Sequence, residues 1–343
     1  MNKTFNIFLT ALVFIITNSC VDEQADTPLT GNLESTAEML FYFESTGDYA
    51  NSSEAPALIN ADDVYANLGN FLIVDIRSTD DFRAGHIDGS LNIIPDSLYD
   101  FFETANVDQY KKIIIVSRNG QSAAYFTCLL RLAGHNNVFT MNFGLASWNS
   151  VFADDWLNAI GVDRNLESYI NDPRPKNNYT DLPKIIFDNS NATIEQRVMG
   201  RIKKIMSEGF KEGINFEREI SSSPEEYLVC YGTSKLYYSP RTGPLPLLGH
   251  NSAAVLYFSY PTYELRSTQY LQTLPTDRKI LIYDETGQLS AGITAYLRVF
   301  GYDASTLLFG GNQLVYPRLI GYPETLEFAF DESNIKEYPY ITE

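Results

Sequence analysis

Lys112-Ile113-Ile114-Ile115-Val116-Ser117-Arg118-Asn119-Gly120-Gln121 and Lys279-Ile280-Leu281-Ile282-Tyr283-Asp284-Glu285-Thr286-Gly287-Gln288 are two versions of one sentence. Each opens with a short, unbroken apolar run, the pattern of a strand buried on both faces rather than of a half-exposed one. Each then passes through a polar loop ending in Gly and enters an apolar stretch of helical length. Lys112–Gly144 lies over Lys279–Gly311 without a gap, and 11 of the 33 positions are identical, including Gly120/Gly287, Gln121/Gln288, Ala124/Ala291, Thr127/Thr294, Arg131/Arg298, Gly134/Gly301 and Gly144/Gly311. The pattern is that of a tandem duplication of a strand–loop–helix unit, which implies an α/β protein.

The surrounding chain extends both units. Phe71-Leu72-Ile73-Val74 is a second buried strand, and Ile59-Asn60-Ala61-Asp62-Asp63-Val64 marks a helix start. Strands of this kind separated by helices build a parallel sheet covered on both faces. Gly85-His86 and Gly249-His250 correspond upstream; on that register Arg77 falls on Arg241 and Asp75 on Ser239. A polar segment around Asn171-Asp172-Pro173 reads as a linker, Thr193 caps a helix running to about Gly213 with Gly209 or Gly213 near its end, and Met39–Phe43 reads as a short helix packed on the domain that follows it. The expected organisation is 1–20 signal, 21–55 tether and short helix, 56–160 first domain, 161–182 linker, 183–325 second domain and 326–343 tail.

With 43 Asp+Glu against 25 Lys+Arg and a net charge of −18, the chain lacks the cationic surface that phosphate-backbone binding requires, so nucleic acid is excluded as a partner. Lys3 followed by the apolar run Ile7–Ile16 is too short to span a bilayer but suits an export signal. Thr17-Asn18-Ser19-Cys20 resembles the lipobox of bacterial lipoproteins, with Thr17 where Leu is usual. The resemblance implies lipidation at Cys20 and anchoring in the cell envelope. The acidic run after it reads as a flexible tether. Cys128 and Cys230 fall in different repeats, so a disulfide framework is not expected, and both read as packing residues.

A tight strand-to-helix loop points successive N–H groups into one cup, and the helix dipole adds positive potential there. Ser117 and Asp284 hold the first position of that cup. Val74-Asp75-Ile76-Arg77, Asp81-Phe82-Arg83-Ala84-Gly85-His86-Ile87, the loop Ser117–Ser122 and Gly144 to Trp148 together resemble the rhodanese family, strongly over about 56–155 and more weakly over about 184–325. The resemblance implies two rhodanese-like domains, each a central parallel sheet flanked by helices. Rhodaneses are sulfurtransferases in which a loop Cys takes sulfur from a donor such as thiosulfate and carries it as a persulfide.

That Cys falls on Ser117 and on Asp284, neither of which forms a persulfide. No catalytic residue is therefore expected. The first loop, Ser117, Arg118, Asn119, Gly120, Gln121 and Ser122, is expected to bind a small anion. In the second, Asp284, Glu285, Thr286, Gly287, Gln288 and Leu289, the Asp284 carboxylate is expected to fill the cup itself. Asp75, Arg77 and Arg83 are expected to form an internal ion-pair network, and His86 and His250 to be structural; no metal or cofactor is implied. The leading reading is a non-catalytic binding module for a small anion or protein partner. Against it stand a sulfurtransferase using another thiol such as Cys230, a hydrolase using Ser117, and an architectural envelope protein. The loop is one residue shorter than in the related phosphatases, which disfavours phosphatase activity.

Overall fold

The computed structural model describes residues 35–160, 169–177, 181–187, 192–215, 225–238, 249–259, 262 and 264–343. Cys20, the signal region, Ser239 and Arg241 lie outside them. Residues Glu34–Glu343 form one compact unit.

Two five-stranded parallel sheets organise that unit. In the first, β1 (Leu58–Ile59), β2 (Leu72–Asp75), β3 (Leu91–Asn92), β4 (Ile113–Val116) and β5 (Val138–Met141) take the order β1-β5-β4-β2-β3. A two-residue strand β6 (Tyr169–Ile170) follows. In the second sheet, β7 (Ile214–Asn215), β8 (Glu226–Gly232), β10 (Val255–Phe258), β11 (Lys279–Tyr283) and β12 (Ala304–Leu307) take the order β10-β8-β11-β12-β7, while β9 (His250–Asn251) pairs antiparallel with β6. The order of one sheet maps onto the other strand for strand. All four residues of β4 are buried, and only Lys279 of β11 reaches the surface, in agreement with strands covered on both faces.

The helices are α1 (Ser35–Thr46), α2 (Ala61–Tyr65), α3 (Thr79–Ala84), α4 (Pro95–Thr104), α5 (Gln121–Leu132) and α6 (Asp154–Ile160), then α7 (Ile194–Glu208), α8 (Ser234–Tyr237), α9 (Gln288–Val299), α10 (Gly310–Leu314), α11 (Tyr316–Gly321) and α12 (Pro323–Leu326). Thr193 caps α7 in a reciprocal capping box with Gln196, and Gly209 ends the helix. The repeated helices α5 and α9 pack on each other, and a Cβ added at Gly292 would meet Cys128 and the Ala124 carbonyl at about van der Waals distance. Small residues there let the two backbones come close, and both sheets share one continuous apolar core.

Three sequence expectations need correction. The repeat carries a one-residue gap: Phe143 and Phe309 both adopt φ +59°, followed by Gly144 and Gly310 at +62° and +51°, so Gly144 matches Gly310 and not Gly311. The connection after α9 is one residue shorter than the one after α5, and this places the gap. Upstream, Asp75 pairs with Val116 in the sheet register and Cys230 pairs with Tyr283, so the counterpart of Asp75 is Cys230 rather than Ser239. Helix α1 packs largely away from the domain that follows it: Phe43 meets Phe300 edge-on, Glu38 pairs with Arg197, and Glu44 accepts from Ser267.

Two short segments cross between the halves. Ile170 of β6 lies opposite His250, and Ile341 bridges His86 in the same antiparallel sense. The tail continues that pairing over the first half. Lys336 and Tyr338 donate their N–H groups to the Ser147 and Trp148 carbonyls, and Glu343 donates to Arg83. Trp148 and Asn149 donate side-chain N–H groups to Pro339 and Tyr338, and the Tyr338 ring stacks on Tyr65 at 3.9 Å.

Candidate functional site

Strand β4 delivers Ser117 to a turn that Gly120 closes at φ +86° and from which α5 starts; β11 delivers Asp284 to the same turn, closed by Gly287 at +78°. A left-handed backbone there favours Gly. Behind each turn runs the loop that follows β5 or β12. Leu145 N–H donates to the Ser117 carbonyl at 2.9 Å, and Gly311 N–H to the Asp284 carbonyl at 2.7 Å. A Cβ on Gly144 would strike the Ser117 carbonyl oxygen, and one on Gly310 the Asp284 carbonyl oxygen.

The two cups are filled differently. Ser117 Oγ accepts from the Gly120 N–H at 3.1 Å and the Ala123 N–H at 3.3 Å. Among the described residues, the N–H groups of Arg118, Asn119, Gln121 and Ser122 have no acceptor. In the second loop Asp284 Oδ2 accepts from the N–H and hydroxyl of Thr286, and Oδ1 from the N–H and hydroxyl of Ser290. The Gln288 N–H goes to the Thr286 hydroxyl. A carboxylate fills the second cup and takes the Thr286 and Ser290 donors, whereas the first cup holds only a neutral hydroxyl.

A cleft of about 370 Å³ opens at the first cup. Its polar wall is Arg77, Ser117, Arg118, Asn119, Ser122, Asp155 and Asn158, and its apolar wall is Ile76, Phe210, Leu308 and Phe309. Arg118 Nε is held by Asp155 at 2.6 Å. Glu285, the residue matching Arg118, is instead buried, accepts from the N–H and hydroxyl of Thr233, and has its carboxyl pushed up to about 7 by burial and then by the adjacent Asp284 charge. Leu289 stands where the first loop has Ser122 and lies against the small gap between α5 and α9.

Gln121 and Gln288 tie the loops together. Gln121 donates to the Gly287 and Leu307 carbonyls and accepts from Phe309 N–H; Gln288 accepts from Phe143 N–H and donates to Asn142 Oδ1. Each loop's Gln thus completes the other loop's backbone.

Asp75 and Arg77 form a buried ion pair at 2.7 Å, and Arg77 also donates to the Gly85 carbonyl. Arg83 does not join: its side chain is exposed and makes no ion pair among the described residues. In the second half the matching carbonyl, Gly249, accepts from Arg318, a side chain brought by α11. His86 stacks on Phe82 and bonds its carbonyl through Nδ1; His250 does the same with Tyr237. Cys230 is fully buried beside Glu285, and burial pushes its thiol well up; Cys128 is buried likewise. No group of three or more His, Cys, Asp or Glu able to hold a metal occurs among the described residues. Sequence reading missed Asp155, Asn158, Phe210, Leu308 and Phe309, because nothing local marks residues that converge from three distant elements.

Residues 60–151 match the rhodanese-like domain family. The uncharacterized protein YibN of Escherichia coli strain K12 is 34% identical over 100 residues, covering 28% of this chain and 62% of YibN. The chain thus spans rather less than two thirds of that relative's length. The thiosulfate sulfurtransferase GlpE of Pseudomonas aeruginosa is 31% identical over 83 residues, covering 24% of this chain and 74% of GlpE. A solved thiosulfate sulfurtransferase from Pseudomonas aeruginosa aligns over 80% of this chain and 46% of its own, with 15% identity and a TM-score of 0.28. GlpE, 31% identical and matched over 74% of its length, shows together with the family match that the chain belongs to the rhodanese-like family.

Proposed function

We propose that this chain is an envelope-anchored protein with two rhodanese-type units that binds a ligand at the Ser117 loop and does not transfer sulfur. The observation that carries the reading is the occupant of the two cups. A hydroxyl receives the Gly120 and Ala123 N–H groups in one, and a carboxylate fills the other. A serine oxygen cannot take up sulfane sulfur, and no His among the described residues lines the cleft to act as its base. Cys230 is a poor substitute, since a thiol that is fully buried beside a carboxylate has no accessible thiolate.

The unused N–H groups and Arg118 favour an anion at the first loop, and the Asp284 carboxylate in the second cup, with the Glu285 side chain buried beside it, disfavours one there. Cys20 would supply the lipid anchor. The test is thiosulfate-to-cyanide sulfur transfer by the full chain and by Ser117→Cys. The parent is expected to form no thiocyanate and the variant to gain a sulfane-sulfur adduct by mass spectrometry. Thiocyanate formation by the parent would overturn the reading. Labelled palmitate incorporation lost in Cys20→Ala tests the anchor separately.

A further inference from the structure

Resting on the reading of the Ser117 loop as a binding site, we infer that its ligand is an amphipathic organic acid, a carboxylate or sulfonate head on an apolar or aromatic body. The cleft is the first reason. At about 370 Å³ it has the size of a pocket for an organic molecule, typically roughly 300–1,000 Å³, and a bare inorganic anion would leave most of it to water.

The polar wall calls for an acceptor. Ser117 is 2% exposed and its Oγ already accepts two backbone N–H groups, yet its own hydroxyl proton has no acceptor among the described residues. The residue borders the cleft, so that proton is left for whatever occupies it. Arg118 spends Nε on Asp155 and has no other partner among the described residues, which leaves its terminal nitrogens for a head group. The Arg118–Asp155 pair carries no net charge, so a head group there is held by hydrogen bonds from the terminal nitrogens of Arg118 and from the loop N–H groups.

The apolar wall calls for a body. Phe210 and Leu308 are only half-buried where they line the cleft, and Phe309 stands beside them. Covering such surface is favourable in proportion to its area. No inorganic ligand could exploit it.

The test is calorimetric titration of the full chain with benzenesulfonate, methanesulfonate and benzenesulfonamide. Benzenesulfonate is expected to bind at least about tenfold more tightly than methanesulfonate, from the ring area buried. Benzenesulfonamide, which lacks the charge, is expected to bind more weakly than benzenesulfonate by a similar factor. Phe210→Ala and Leu308→Gln are expected to lower benzenesulfonate affinity and leave methanesulfonate unchanged; two variants on different elements guard against one that folds poorly. Equal affinity for the two sulfonates overturns this inference while leaving anion binding intact. No binding of either sulfonate overturns the binding-site reading as well, and sulfonamide binding as tight as benzenesulfonate overturns the requirement for an acid.

Discussion

Replacing Glu285 with Gln tests the electrostatics of the second loop. Glu285 is 3% exposed, lies against Gly232 and Asp284, and accepts two hydrogen bonds from Thr233 through Oε1. Its carboxyl is held at about 7 against an ordinary 4.5, first by burial and then by the Asp284 charge. Below pH 4.5 folded and unfolded chains both carry the proton. Between 4.5 and about 7 the unfolded chain gives it up while the folded one keeps it, so stability falls as pH rises and levels off above the folded value. At 1.36 kcal/mol per unit that shift amounts to roughly 3 kcal/mol lost across the window. A Gln side chain keeps an acceptor for Thr233 and carries no charge. Urea unfolding followed by circular dichroism, at pH 5 and pH 8, reads the difference between variant and parent, in which the titrations of groups remote from Glu285 cancel. The Glu285→Gln chain is expected to gain about 2–3 kcal/mol on the parent between pH 5 and pH 8. A difference that does not change with pH would refute the reasoning, because it would mean that Glu285 ionises alike in both states.

Gln121→Leu removes the acceptor for Phe309 N–H and the donor for two carbonyls, and the groups left unsatisfied are expected to cost about 2–3 kcal/mol in urea unfolding. Trp156→Ala opens the aromatic cluster with Phe143, Phe309 and Phe330, with an expected loss of about 3–5 kcal/mol in the same assay. Cys128 and Cys230 are expected to resist a thiol-reactive dye in the native protein and to react on addition of denaturant, since both are buried; fast native labelling of Cys230 would contradict its placement. Arg318→Met deprives the Leu236 and Gly249 carbonyls of a charged donor inside the second half, and a drop of about 2 kcal/mol or more is expected by thermal or urea unfolding.

Much of the fold was legible because buried parallel strands are written as unbroken apolar runs, as in Ile113–Val116 and Lys279–Tyr283. The helix caps were equally readable at Thr193 and at the two loop glycines. The upstream register of the second unit was not. There the Asp75–Arg77 pair is replaced by Cys230 on the strand and by Arg318 from α11, so the same carbonyl is served by residues that no linear alignment brings together. The shift of Gly144 onto Gly310 was hidden because the matched position happens to begin a Gly-Gly pair. At the site, the loop residues could be named from the strand–Gly–helix pattern, whereas the apolar wall could not. Leu308 and Phe309 reach the cleft from the opposite loop, whose backbone Gln121 holds beside α5.

The two crossing segments bear on the order in which the chain is made. The first sheet is complete once β5 has been synthesised, yet the strip that shields His86 and Trp148 runs through Pro339 and Ile341, after the last strand of the second sheet. If the chain folds as it is delivered from its N-terminus, the first half waits, with the Trp148 indole and the His86 imidazole lacking these partners, for the tail to arrive. The second half has no such delay, because β6, which pairs with His250, precedes it. The earlier half of the molecule thus depends for its last contacts on the segment that follows the later half.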